Sequence, residues 1–315
     1  MLEILAVTGP IYLLIALGFF ATRRGVFRSA DLPVLGQYVA QFALSALVFR
    51  AVAQREFAEI LNGRFLAAYA GGSLAAFGVG LLVALRRGRG LAAAAFNGAG
   101  MSISNNGFIG STLLLPLLGP LGGVAFALVL LVENVVMQPL LLTLAESEGQ
   151  GHLPWWQVTL QSLGRVLRIP FVMAIFVGLA VSLVGLHLPA VLMRAVDLVA
   201  MSASAVALIV IGGTLVGRRL DGQRASVAGL MLGKLVLHPL LVLGMLLLWG
   251  MPLDPTLRFA AVAFATMPMF SLFPILGQRY GLEGFCAAAV VLTTIVSFLT
   301  ITAWLWVLRH LLGWG

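Results

Sequence analysis

Ser102-Ile103-Ser104-Asn105-Asn106-Gly107-Phe108-Ile109-Gly110 lies within an apolar run long enough to cross a bilayer, yet it holds two adjacent amides and two glycines. A second polar interruption, Thr266-Met267-Pro268-Met269-Phe270-Ser271-Leu272-Phe273-Pro274, follows about 165 residues later in another such run. An unsatisfied backbone group in hydrocarbon costs several kcal/mol, so broken helices persist only where protein or an aqueous cavity covers them. Paired interruptions in corresponding positions of two halves are the best sequence pointer to a carrier's binding site.

Working outward, the chain has 315 residues, 61% of them hydrophobic and only 10% charged, with a mean hydropathy of +1.07. Soluble domains carry about a quarter charged residues, so this is an all-α integral membrane protein. At roughly 20 residues per crossing, its length holds about ten transmembrane helices. Its segments are continuously apolar, without the alternation of barrel strands. The net charge of +8 does not point to nucleic acid. The arginines fall in short clusters between apolar runs, as the positive-inside rule requires. A single cysteine, Cys286, excludes an internal disulfide, and no Cys/His cluster suggests a metal. The first apolar run exceeds a signal-peptide core and reads as a retained span.

The expected spans are Ile4–Thr22, Leu32–Ala53, Gly63–Leu85, Leu91–Leu118, Gly122–Ala145, Pro170–Val184, Ala190–Val216, Ser226–Trp249, Leu257–Leu276 and Phe285–Leu308. Gly119-Pro120-Leu121 makes a tight turn between the fourth and fifth. Connections after the odd-numbered spans hold 12 arginines, against 6 in loops and span ends on the other side. That bias places both termini outside the cytoplasm. The long connection from Glu146 to Ile169 contains His152, Pro154 and the Trp155-Trp156 pair, which reads as an interfacial anchor. Residues 1–148 form the first five-helix repeat, 149–168 the cytoplasmic connection and 169–315 the second repeat. An odd number of spans per half makes the repeats inverted, with broken helices 4 and 9 in matching places.

Asn and Ser compete for backbone hydrogen bonds, and glycine lowers helix propensity. Unwinding at the first interruption would free N–H groups whose partial positive charge suits an anion. Pro268 and Pro274 each remove a donor, so span 9 must kink or break. Thr266 and Ser271 either satisfy freed carbonyls or face a ligand. The candidate binding residues are Ser104, Asn105, Asn106, Gly107, Pro268, Phe270, Ser271 and Pro274. Ionisable groups inside spans are functional candidates by default. Glu133 in span 5 either carries coupling protons or Na⁺, or pairs with Lys234, the chain's only lysine. Lys234 and His238 share a helix face at i, i+4. Arg194 and Asp197, at i, i+3, suit a local ion pair.

Several ordered pieces carry a family likeness. They are Gly9-Pro10, Leu17-Gly18 and Arg23-Arg24-Gly25, then Phe42-Ala43-Leu44 and Leu47-Val48-Phe49. Asn105-Asn106-Gly107-Phe108-Ile109-Gly110, Lys234-Leu235 with His238-Pro239, and Met267-Pro268 through Tyr280-Gly281 complete the set. Over nearly its whole length the chain resembles the auxin efflux carrier family, in its bacterial malonate-transporter-like branch. The resemblance implies ten helices in two inverted five-helix repeats, similar to bile-acid transporters, with helices 4 and 9 crossing at mid-membrane. It implies a scaffold of spans 1, 2, 6 and 7, a transport domain of spans 3–5 and 8–10, and a homodimer formed through the scaffold. Ser45 and Thr112 stand where the family often has proline, so the first break rests on Asn105, Asn106 and the glycines.

The expectation is a secondary carrier for a small organic anion, a carboxylate such as malonate or an auxin-like acid, working by alternating access in the cytoplasmic membrane. It is not expected to be an enzyme, and no cofactor or metal is expected beyond coupling H⁺ or Na⁺. A cation or proton antiporter of similar crossed-helix fold is the rival within transport. That mechanism wants acidic residues beside the crossing, and neither interruption contains one. A ligand-sensing membrane protein or an intramembrane enzyme is the rival outside it. The loops are too short for a signalling domain, and no protease constellation or Walker phosphate loop appears.

Overall fold

In a computed structural model, the described residues are 2–28, 30–55, 62–147, 155–186, 188–216, 224–248, 250, 253–310 and 312–313. Glu148, His152 and Pro154 of the long connection, with Arg218 and Arg219, lie outside them. Apart from one isolated β-bridge between Ser104 and Met269, the regular structure among the described residues is helical. Among the described residues, six helices are long and apolar enough to cross a membrane. They are α2 (Leu32–Ala53), α3 (Gly63–Arg86), α5 (Asn106–Ser147), α8 (Ala190–Thr214), α9 (Ser226–Leu248) and α12 (Glu283–His310). Shorter pieces are α4 (Leu91–Ser102), α6 (Trp155–Val166), α7 (Pro170–Val184), α10 (Pro255–Ala265) and α11 (Phe273–Gln278), and α1 opens the chain (Leu2–Arg23).

Helix α5 is two arms. At Gly119 φ is 61° and ψ −150°, a combination reached essentially only by glycine. This is the tight turn expected between spans 4 and 5. A Cβ there would meet no atom within 4 Å, so the penalty of substitution is conformational alone. Gly119→Ala should therefore cost ~1–3 kcal/mol, read as a lower melting temperature.

The chain divides into two compact units. Residues 1–63, 106–131 and 168–217 form one; residues 64–105, 132–167 and 218–315 form the other. In the first, α1 runs along α8 at backbone contact. A Cβ at Gly212 would fall on the carbonyl oxygen of Ile15, and one at Gly18 on that of Ile209. Such small-residue seams let helices approach closely where lipid supplies no hydrophobic drive. Helix α7 packs along α2, with Gly178 against Val52. Asp197 is engaged by Arg50 on α2, Nη1 to Oδ1 at 3.4 Å, a partner that its i, i+3 spacing to Arg194 did not indicate.

In the second unit, α3, α4, the end of α5 and α9 to α12 surround a buried polar centre. The connection read as a loop holds α6, which starts at the Trp pair and packs against residues 138–147 of α5. Arg165 Nη1 reaches Glu146 Oε1 at 3.4 Å across that contact. Tyr280, between α11 and α12, packs on Phe96 with ring centroids 5.3 Å apart. Burial, and secondly the Glu146 carboxylate, raise its phenol above the ordinary tyrosine value.

Two π-helical turns place the charged groups of this unit. Val132–Met137 carries Glu133 and Gly233–Leu237 carries Lys234. Each ends two residues before a proline, Pro139 or Pro239. A proline has no N–H to continue the i→i−4 ladder, so a widened turn just before it is the local answer. Such turns recur at functional sites.

Candidate functional site

The two interruptions meet. Helix α4 ends at Ser102, and Ile103 at φ −94°, ψ 128° takes the chain into extended backbone. Helix α10 ends at Ala265, and the chain is not helical again until Phe273. Between these ends Ser104 bridges Met269 in antiparallel sense, and Asn105 N donates to Pro268 O at 2.7 Å. The Asn105 side chain adds Nδ2 to Ser271 Oγ at 2.8 Å. Each break thus supplies the hydrogen-bond partners that the other lacks in hydrocarbon. Pro268 and Met269 are needed in extended form, and proline tolerates that conformation while its carbonyl stays available.

Thr266 resolves one of its two expected roles. Its Oγ1 donates to Ala263 O at 2.7 Å, returning a bond to the frayed end of α10. Ser271 Oγ instead accepts from Asn105 Nδ2 across the crossing. Phe270 is buried with its ring tilted against Phe273, centroids 5.2 Å apart, while Pro274 stands in the first turn of α11. Asn106 and Gly107 fall on the far side of the division between units and begin α5 there, with Leu44 Cδ2 at 3.2 Å from a Cβ placed on Gly107. The break therefore occupies Ile103–Asn105, ahead of the glycines. In that unit Ser111 and Thr112 donate to the carbonyls of Gly107 and Phe108 at 2.8 and 2.7 Å.

Behind the crossing lies Lys234, wholly buried. Its Nζ donates to Ser104 Oγ at 2.5 Å and to Ala265 O at 3.1 Å, and lies 2.8 Å from His238 Nδ1. Glu133 faces the same serine, its Oε1 accepting from Ser104 N at 3.0 Å and from Tyr69 Oη at 3.0 Å. His238 Nε2 is 3.0 Å from Ser73 Oγ. The result is one buried chain, from Tyr69 through Glu133, Ser104, Lys234 and His238 to Ser73. The ammonium lies near the C-terminal ends of α4 and α10, where helix dipoles favour a cation.

The structure thus brings together Ser104, Asn105, Pro268, Ser271, Glu133, Lys234 and His238. Glu133 and Lys234, read as either a pair or a coupling device, meet through Ser104. Neither interruption contains an acidic residue, but Glu133 from α5, outside both, stands beside the crossing. Tyr69 and Ser73 were missed, although two polar residues at i, i+4 in an apolar span are a readable signal. Nearby, a cleft of about 370 Å³ has Met101, Leu230, Gly233 and Leu237 in its lining, together with Arg87 and Asn97.

Several apolar, membrane-length helices and a charged crossing of two broken segments define a multi-pass membrane transporter. A family model described as "Membrane transport protein" matches residues 5–305, and the chain belongs to that family, the auxin efflux carrier family. A Rhizobium meliloti (strain 1021) protein named "Putative malonate transporter" is 28% identical over 311 residues, covering 98% of this chain and 97% of that protein.

Proposed function

We propose that the chain is a secondary carrier of a small organic anion, a carboxylate of the malonate or auxin-like kind, moved across the cytoplasmic membrane by alternating access. The observation that carries this reading is the crossing itself, with Asn105 and Ser271 beside it and a buried ammonium behind it. Asn105 and Ser271 orient the carboxylate, and Lys234 supplies the attracting charge. The name of the Rhizobium relative supports a dicarboxylate. Spans 3–5 and 8–10, which include the crossing, are the moving part. Spans 1, 2, 6 and 7, which fall together in the first unit, are the scaffold, and a homodimer forms through them. Both termini face away from the cytoplasm.

The test is flux of radiolabelled malonate and indole-acetate in proteoliposomes, where no flux of any carboxylate overturns the anion reading. Asn105→Ala should weaken apparent substrate affinity roughly tenfold or more, since a hydrogen bond to a charged group contributes ~1.5–3 kcal/mol. Unchanged affinity in a folded variant removes Asn105 from the site. A cation or proton antiporter is the second reading, favoured by Glu133 at the crossing. It requires flux driven by a cation or pH gradient in the absence of any carboxylate.

A further inference from the structure

The groups around Lys234 Nζ include oxygens of the kind that hold alkali-metal ions. A hydroxyl oxygen, Ser104 Oγ, and a helix-terminal carbonyl, Ala265 O, accept from its Nζ at 2.5 and 3.1 Å. The Glu133 carboxylate, fixed on the amide of the same serine at 3.0 Å, supplies the countercharge. Hydroxyl, carbonyl and carboxylate oxygens suit hard cations. Unwound backbone and half-helix C-terminal ends are where broken-helix proteins of the membrane hold such ions. Here the position is already filled by a cation on a four-carbon stem that starts from the π-helical turn of α9.

We propose that the Lys234 ammonium is a tethered substitute for an alkali-metal ion, occupying a cation site built where the two broken segments cross. The wild-type chain then binds no Na⁺ at this point, and removing the stem opens the site to Na⁺. The remaining contact, His238 Nδ1 at 2.8 Å, lines the vacated space, and water completes the coordination of the ion. The inference goes beyond the carrier reading, because an ion site measured at equilibrium stands or falls without any flux.

The experiment measures the melting temperature of the purified full chain in detergent, in NaCl against choline chloride at equal ionic strength. A ligand bound only by the native state raises apparent stability by mass action. Wild-type protein should melt at the same temperature in both salts. Lys234→Ser should gain a saturable rise of several degrees with Na⁺. Lys234→Met, whose stem fills the space without a charge, should gain none. Adding Glu133→Gln to Lys234→Ser should weaken the Na⁺ response at least tenfold. Should Lys234→Ser fail to fold in choline, the folded yield is the readout, and rescue by Na⁺ supports the site. A wild-type protein whose stabilisation by Na⁺ over choline equals that of Lys234→Ser overturns the proposal. So does a Lys234→Ser protein indifferent to Na⁺, or one that Na⁺ does not rescue.

Discussion

Glu133→Gln should lower the stability of the protein by ~3–5 kcal/mol, the usual result of removing one partner of a buried charge pair. The amide keeps the shape and can still accept from Ser104 N and Tyr69 Oη, so the loss isolates the charge. What remains is an ammonium wholly buried among Ser104 Oγ, Ala265 O and His238 Nδ1 with no countercharge from Glu133. Lys234→Met should be as damaging for the mirror reason. The double variant Glu133→Gln/Lys234→Met should recover much of the loss, because replacing both members of a buried pair is often near neutral. Thermal melts of the four proteins complete a double-mutant cycle. Strict additivity would mean that Ser104 does not couple the two groups. Transport should be absent in the two variants that lack Lys234 if its ammonium supplies the attracting charge.

The second large effect belongs to the other unit. Gly212→Val and Gly18→Val should each cost about 3 kcal/mol or more, beyond ordinary overpacking. The atoms in the way are the Ile15 and Ile209 carbonyls, which cannot turn aside as a side-chain tip can. Relief requires α1 and α8 to move apart along their length. Gly9→Val, where nothing lies within 4 Å of the new Cβ, should stay within ~0.5 kcal/mol of wild type. Folded yield and melting temperature after purification measure all three. A tolerant Gly212 would mean that the seam between α1 and α8 is loose.

Hydropathy and the turn at Gly119 made most helices legible, because a run of apolar residues and a glycine-only backbone geometry are local facts. Span 2, Leu32–Ala53, and span 6, Pro170–Val184, have the same bounds in sequence and structure. The two breaks were legible for the same reason. Their exact form was not. Asn105 and the glycines pointed to an unwinding centred further along, but the non-helical residues are Ile103 to Asn105, because pairing with Pro268 and Met269 decides where the helix stops. The company of Lys234 was half legible. His238 follows from helical spacing, and Glu133 was a candidate partner. Ala265 O, Tyr69 and the serine that joins the two charges come from chain distances no period encodes. Helix α6 was hidden because its polar composition resembles a loop.

The pairing of Ser104 with Met269 also bears on how the chain is made. The partners are 269 − 104 = 165 residues apart. At roughly 5–20 residues per second of synthesis, Ser104 and Asn105 are made some ten to thirty seconds before Met269. Through that interval the first break lacks Pro268 O, and for the first 234 − 104 = 130 residues of it the chain has not yet made Lys234. The nascent first half is therefore a metastable passenger of the insertion machinery, and its polar centre closes only when the second half arrives.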